Sequence, residues 1–277
     1  EMQRSLVGSE MCIRDSISPL AYVHPEAQIG DDVTVMAFAY IDRNVVIGDG
    51  CVVRPHVSIL DGARIGRNNQ FYEGSIICAS PQDFRWKGQE SFVIIGDNNV
   101  IREHVIINRS IVEKEATVIG SDSFIMAQTH IGHDSRIGSH VVLGNSVKIA
   151  GDVKIGDYTI LSSSALAHEG VDIGQWALIK GGCRVNNNVP PYAVMAHNPI
   201  AYFGVNAFIL RKGRFPEDTI DNIAKCFRHL YQSGTSTFNA LRRIEADVDP
   251  GPERDAIVNF VRDHKYKLAA IRLDDRG

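Results

Sequence analysis

From Ile17 to Val185 every sixth residue is apolar, the exceptions being Asp83, Gln89 and Glu113. Four places after many of these aliphatics stands a small or β-branched residue, as at Val33, Ala39, Val45, Cys51, Val57 and Ala63. A period of six matches neither the 3.6 residues of a helical turn nor the alternation of a strand. It matches a coil of short strands joined by corners, in which each turn buries its aliphatics against the turns above and below. The small residue then fits where the interior narrows. The fold class expected is mainly β: a parallel β-helix with a C-terminal α-helical domain.

Composition limits the partners. With 29 Lys+Arg against 33 Asp+Glu, the net charge of −4 argues against a polyanion-binding scaffold, so no nucleic acid is expected. No stretch approaches the roughly 18 apolar residues of a membrane span, so no membrane insertion is expected either. Cys12, Cys51, Cys78, Cys183 and Cys226 lie far apart without a CxxC pair. That spacing indicates neither a disulfide framework nor a cysteine-rich zinc site, and a reducing cytoplasm fits it best.

The repeat resembles that of the hexapeptide-repeat acyltransferases. The resemblance implies left-handed triangular coils of about 18 residues and assembly as a homotrimer, so that residues 18 apart stack one strand spacing, roughly 4.8 Å, from each other.

Two segments interrupt the aliphatic column. Residues 78–94 bring Pro81, Gly88, aromatics and charges, and read as an excursion loop; long loops in compact proteins disproportionately carry function. A lesser break spans 109–117 around Glu113. After Val185 the repeat gives way to Asn186, Asn187, Asn188 and Pro190-Pro191, and from Pro216 the period turns helical, with Ile220, Ile223, Ala224, Phe227, Leu230 and Tyr231 on one face. Further helices are expected after Ser236 and Pro252. The chain divides accordingly into 1–16, a non-native or disordered leader lacking both the repeat and the apolar run of a signal peptide; 17–190, the coil; and 191–277, a helical domain capping it.

His130, His133 and His168 stand inside the regular coil, where corners normally hold Gly, Asp, Asn or Ser. His133-Asp134 occupies a corner, and steps of 18 carry His133 to Gly151 and then to Glu169. A neutral imidazole takes a proton from an alcohol near physiological pH, and an adjacent carboxylate fixes its tautomer. Gly151, without a side chain, leaves a backbone N–H open to a developing oxyanion. The acceptor alcohol itself can attack a thioester, so the chemistry requires neither a Ser or Cys nucleophile nor a metal or cofactor.

The segments His130-Ile131-Gly132-His133-Asp134, Ile149-Ala150-Gly151-Asp152, Pro81-Gln82-Asp83, Val189-Pro190-Pro191-Tyr192 and Phe203-Gly204-Val205-Asn206 resemble the UDP-N-acetylglucosamine O-acyltransferases of lipid A synthesis, over nearly all of 17–277. Members of that family move an (R)-3-hydroxyacyl chain from acyl carrier protein to the sugar 3-hydroxyl, in the cytoplasm of Gram-negative bacteria. The resemblance implies His133 as catalytic base, Asp134 as its carboxylate partner and Gly151 as oxyanion amide. It implies sugar contacts from Asp83, His130 and His168, and a nucleotide contact from Asn206. Gly181 matches a position limiting acyl-chain length, where glycine implies an open groove and a long chain. Arg85 replaces a family lysine, Glu169 a glutamine, Asp152 a frequent histidine and Phe208 a glutamate. Lys212 is the best-matched phosphate contact. The basic residues Arg211, Lys212, Arg214, Arg242 and Arg243 suit an acidic carrier protein, although solvated surface charge explains them equally well.

Other readings remain at this point. The related N-acyltransferases carry a uridine-binding domain before the coil and typically Asn after the base, neither of which occurs here. A zinc-dependent hydratase on the same coil would need three histidines, and His104, His130 and His133 do not match its spacing. A non-catalytic β-helix, or a divergent paralogue acting on another nucleotide sugar, would be favoured by the changes at Asp152, Glu169 and Phe208.

Overall fold

The computed structural model describes residues 16–264 and 268–269. Residues 1–15 of the expected leader lie outside them, while Ser16 already pairs with Thr34. The short strands form three sheets of 11, 9 and 8 strands, and neighbours within each of the regular turns are three strands apart in sequence. Successive strands therefore visit a first, second and third face in rotation, and the pairing is parallel until the last hairpin. His130 pairs with Lys148 and Lys148 with Leu166, an advance of 18 residues per coil. This is the left-handed parallel β-helix.

Both breaks in the repeat obey the same period. Ile77 pairs with Ile107, an advance of 30, and Ile107 with Ile131, an advance of 24. Each insertion is thus a multiple of six, which returns the next aliphatic to the axis. The strands run to Ala79 and resume at Phe92, so the chain leaves the coil over 80–91. Both insertions leave at the corner between the second and third faces.

The axis is filled by the sixth-residue column: Ile41, Ile59, Ile77, Ile107, Ile131 and Ile149 are completely buried. Each such side chain contributes roughly 1.5–3 kcal/mol by leaving water. Most of the accompanying small residues are buried too, and the polar ones Asn69, Asn99 and Ser123 form a ladder. Asn69 Nδ2 donates to Gly96 O at 2.8 Å and its Oδ1 accepts from Asn99 N at 2.9 Å; Asn99 repeats both bonds one coil on, to Gly120 O and from Ser123 N. These corner groups are thereby satisfied without water.

The end of the repeat is not the end of the sheet. Val189 bridges to Ile173, the strand Ala193–Ala196 pairs with Leu178–Ile179, and Ala201–Val205 folds back antiparallel on it. The prolines at 190 and 191 mask this continuation, because they break the hexapeptide pattern while occupying a corner. Among the described residues four helices follow: α1 (Ala207–Lys212), α2 (Glu217–Phe227), α3 (Thr237–Asp247) and α4 (Pro252–Asp263). A π-helical turn, Arg228–Gln232, prolongs α2 before Gly234 at φ 64° allows the chain to reverse. Helix α3 begins where Ser236 accepts the Asn239 N–H, and α4 starts with Pro252, whose missing N–H costs nothing there. Tyr202 of the hairpin stacks with Phe227 at 5.1 Å and Tyr231 at 4.5 Å, and His264 meets Asp172 of the third face at 3.2 Å. Among the described residues no helix is long and apolar enough to cross a membrane.

Candidate active site

One corner of the coil, between the second and third faces, gathers the reactive residues. His133 follows the strand His130–Ile131 and is 9% exposed. Asp134 takes the left-handed conformation of the corner, φ 61°, which Asp tolerates better than most residues. Its carboxylate turns back onto the preceding ring, with Oδ2 2.7 Å from His133 Nδ1. An ionised carboxylate only accepts, so Nδ1 donates to Asp134 and Nε2 is the nitrogen left facing the cleft.

One coil on, Asp152 N donates to His133 O at 2.9 Å, which places Gly151 against the imidazole. A Cβ at Gly151 would stand 2.5 Å from His133 Nε2, too close for any side chain. The Gly151 N–H has no acceptor among the described residues. A further coil on, Gly170 N reaches Gly151 O, bringing Glu169 to the same column.

The excursion loop folds back over this corner. Asp83 Oδ2 lies 3.5 Å from His133 Nε2, and Arg85 forks onto Asp83 at 2.9 and 2.7 Å. Arg85 Nη2 also reaches Glu169 Oε1 at 3.0 Å, so the cation bridges two carboxylates. The hydrogen bonds from Arg85, side chain first and backbone second, hold the Asp83 carboxyl far below the usual carboxylate range. Beneath them a cleft of about 450 Å³ is lined by Arg85, Ile111, Val112, His133, Asp152 and Glu169, among others. His130 stands half-buried on the second face, where burial first, then Lys148 and His133, push its pKa down. His168 takes the same corner as His133, its N–H donating to Val185 O.

The remaining expected site residues lie elsewhere on the chain. Asn206 lines a separate cleft of about 460 Å³ on the first face, together with Leu178, Lys180, Phe203 and Phe208. It is 2% exposed, and its Nδ2 donates to Trp176 O at 2.9 Å, which anchors the start of α1 to the coil. Lys212 Nζ sits 4.6 Å from the centre of the exposed Phe208 ring. Gly181 is exposed at the corner between the first and second faces. Among the described residues no group of three or more His, Cys, Asp or Glu is placed to hold a metal ion.

The sequence reading missed the residues that hold Asp134. The lesser break supplies Ser110, whose Oγ donates to Asp134 Oδ1, and Ile111, whose N–H reaches Oδ2 at 3.3 Å. Thr117 Oγ1 accepts the Asp134 N–H at 2.8 Å. A signal existed: the 24-residue advance of that coil carries Ser110 onto Asp134.

A hexapeptide coil with a His–Asp pair beside an open backbone amide defines a transferase of the hexapeptide class, and residues 116–151 match the model of the bacterial transferase hexapeptide with six repeats. Residues 188–269 match that of UDP N-acetylglucosamine O-acyltransferase, domain 2, and 17–119 that of the GMPPB C-terminal domain. The acyl-[acyl-carrier-protein]–UDP-N-acetylglucosamine O-acyltransferase of Syntrophobacter fumaroxidans is 36% identical over 90% of this chain and 97% of its own. The crystal structure of a UDP-N-acetylglucosamine acyltransferase from Bacteroides fragilis is 44% identical, with a TM-score of 0.89 over 92% of this chain and 100% of that one. That from Francisella novicida is 32% identical, with a TM-score of 0.87 over 93% and 95%. The chain belongs to the acyl-[acyl-carrier-protein]–UDP-N-acetylglucosamine O-acyltransferase family.

Proposed function

We propose that this enzyme transfers an (R)-3-hydroxyacyl chain from acyl carrier protein to the 3-hydroxyl of UDP-N-acetylglucosamine, the first step of lipid A synthesis. The observation that carries the reading is the His133 ring, fixed by Asp134 on Nδ1, with Nε2 turned to the Gly151 backbone and the loop carboxylate of Asp83. The sugar hydroxyl gives its proton to Nε2 as its oxygen attacks the thioester carbonyl. Negative charge gathers on the carbonyl oxygen, where the Gly151 N–H stabilises it. Collapse expels the carrier thiolate, which takes the proton back from the imidazolium. Asp134 offsets the charge of that imidazolium while it lasts.

Asp83, Arg85, His130, His168 and Glu169 are read as acceptor contacts around this base, Asn206 and Lys212 as nucleotide contacts, and Gly181 as the residue that sets chain length. Since those last three lie away from the His133 corner, the complete site is read as a cleft between subunits of a homotrimer. The coil of 17–190 is read as the catalytic domain and 191–277 as its cap, working in the cytoplasm.

The test is transfer from 3-hydroxyacyl carrier proteins of varied chain length to UDP-N-acetylglucosamine, with wild type and His133→Ala. Turnover that falls roughly two or more orders of magnitude in the variant, with the coil still folded, supports the base. A folded protein inactive with every donor on this acceptor overturns the reading, and Phe208, Asp152 and Glu169 would then direct the search to another nucleotide sugar.

A further inference from the structure

Ser110 is completely buried beneath the His133 corner, on the six-residue insertion between the second and third faces. Its hydroxyl has one proton and two acceptors within reach, Asp134 Oδ1 and Val112 O at 3.2 Å. The carboxylate is the nearer and carries charge, and a charge-assisted bond is the stronger of the two. The Oγ lone pair is meanwhile occupied by Val112 N–H at 2.8 Å, so the proton is directed outward to Asp134. Ser91 Oγ, also completely buried, donates to Ser110 O at 2.6 Å and holds the serine's backbone in place.

Asp134 thus receives three hydrogen bonds on two oxygens: Ser110 Oγ–H on Oδ1, and His133 Nδ1–H with Ile111 N–H on Oδ2. A carboxylate held only by a neighbouring histidine can rotate about its own bond and release the ring. One clamped at both oxygens cannot, and the imidazole it holds keeps one tautomer. We propose that Ser110 is a positioning residue for catalysis, the outer member of a Ser110–Asp134–His133 relay that keeps Nδ1 protonated and Nε2 turned to the cleft. The relay rests on His133 being the base of the reaction proposed above, but the tautomer it enforces is a property of the free protein.

Two readouts separate these. Nitrogen-15 NMR of the imidazole in wild type should show His133 in the single Nδ1–H tautomer; Ser110→Ala should show a mixture of tautomers, and Ser110→Thr, which keeps the hydroxyl, should restore the single form. In the transfer assay Ser110→Ala should lose about tenfold in kcat with KM within about twofold, and Ser110→Thr should regain most of it. Ser91→Ala loosens the same insertion without touching Asp134, so it should lower thermal stability while leaving the tautomer unmixed. A single unchanged tautomer in Ser110→Ala overturns the relay, as does an equal mixture in Ser91→Ala, which would reduce Ser110 to a structural prop. Inactivity of the wild type with an intact tautomer effect would instead remove the functional reading and leave the relay standing.

Discussion

At the scale of single residues the site is defined by what cannot be changed. Gly151 touches the imidazole so closely that a methyl group there must displace the ring or the corner that carries it. Gly151→Ala should therefore lose on the order of 10²-fold in turnover, the usual cost of a misplacement near 1 Å, while circular dichroism shows the coil intact. His130 offers a test that does not depend on substrate. Its folded pKa lies below the ordinary value of 6.5, mainly through burial, so as pH falls the unfolded chain binds that proton first. Stability should decline from about pH 6.5 downward until the folded pKa is passed, and His130→Gln should flatten the decline when urea midpoints are measured between roughly pH 7 and 5. Asp172 acts with the opposite sign, since burial raises its carboxyl above 3.8 and favours the folded state as pH falls through that raised value. Its effect begins from the ordinary 3.8 upward and that of His130 from 6.5 downward, and the two slopes differ in sign.

Among the elements, the coil was the readable part and the exceptions to its rule were not. Every sixth aliphatic could be assigned to the axis because only burial against neighbouring turns gives a period of six a purpose. Asp83 and Glu113 broke that column because their insertions leave the coil, and the insertions return in phase only by adding multiples of six. The loop around Asp83 announced itself by its aromatics and charges. The shorter one around Ser110 carried a cradle for Asp134 that no residue type advertises, since a serine hydroxyl and a main-chain N–H look like any corner. The strand Ala193–Ala196 was hidden for another reason, because pairing can continue where side-chain periodicity has stopped. Asn99, at the narrow inner position, is completely buried, yet serves Gly120 O and Ser123 N of the coil ahead and donates its own N–H to Asn69 Oδ1. Asn99→Ala strands these groups without water, and should cost about 2–4 kcal/mol in denaturant unfolding, well above a surface substitution.

The proposed roles of His133, Gly181 and Asn206 impose a constraint at the scale of the whole molecule. His133 stands at the corner between the second and third faces, Gly181 at the corner between the first and second, and Asn206 beside a cleft on the first face. In a triangular coil these positions look in different directions, so one acyl donor and one nucleotide sugar cannot reach all of them on the same chain. In the proposed homotrimer, neighbouring copies would set the corner of one opposite the first face of the next, and a closed ring of three would satisfy every copy alike. This proposal predicts complementation. His133→Ala removes the proposed base, and Gly181→Trp fills the proposed acyl groove, so each homotrimer should be inactive with long-chain donors. Unfolding the two together in equal amounts and refolding them gives mixed trimers in which one of the three clefts pairs an intact His133 with a neighbour's intact Gly181. Random mixing should then restore about a quarter of wild-type activity. If each site lay within a single chain, no mixture of the two variants would recover turnover, and a sedimenting monomer with full activity would dismiss the shared cleft equally.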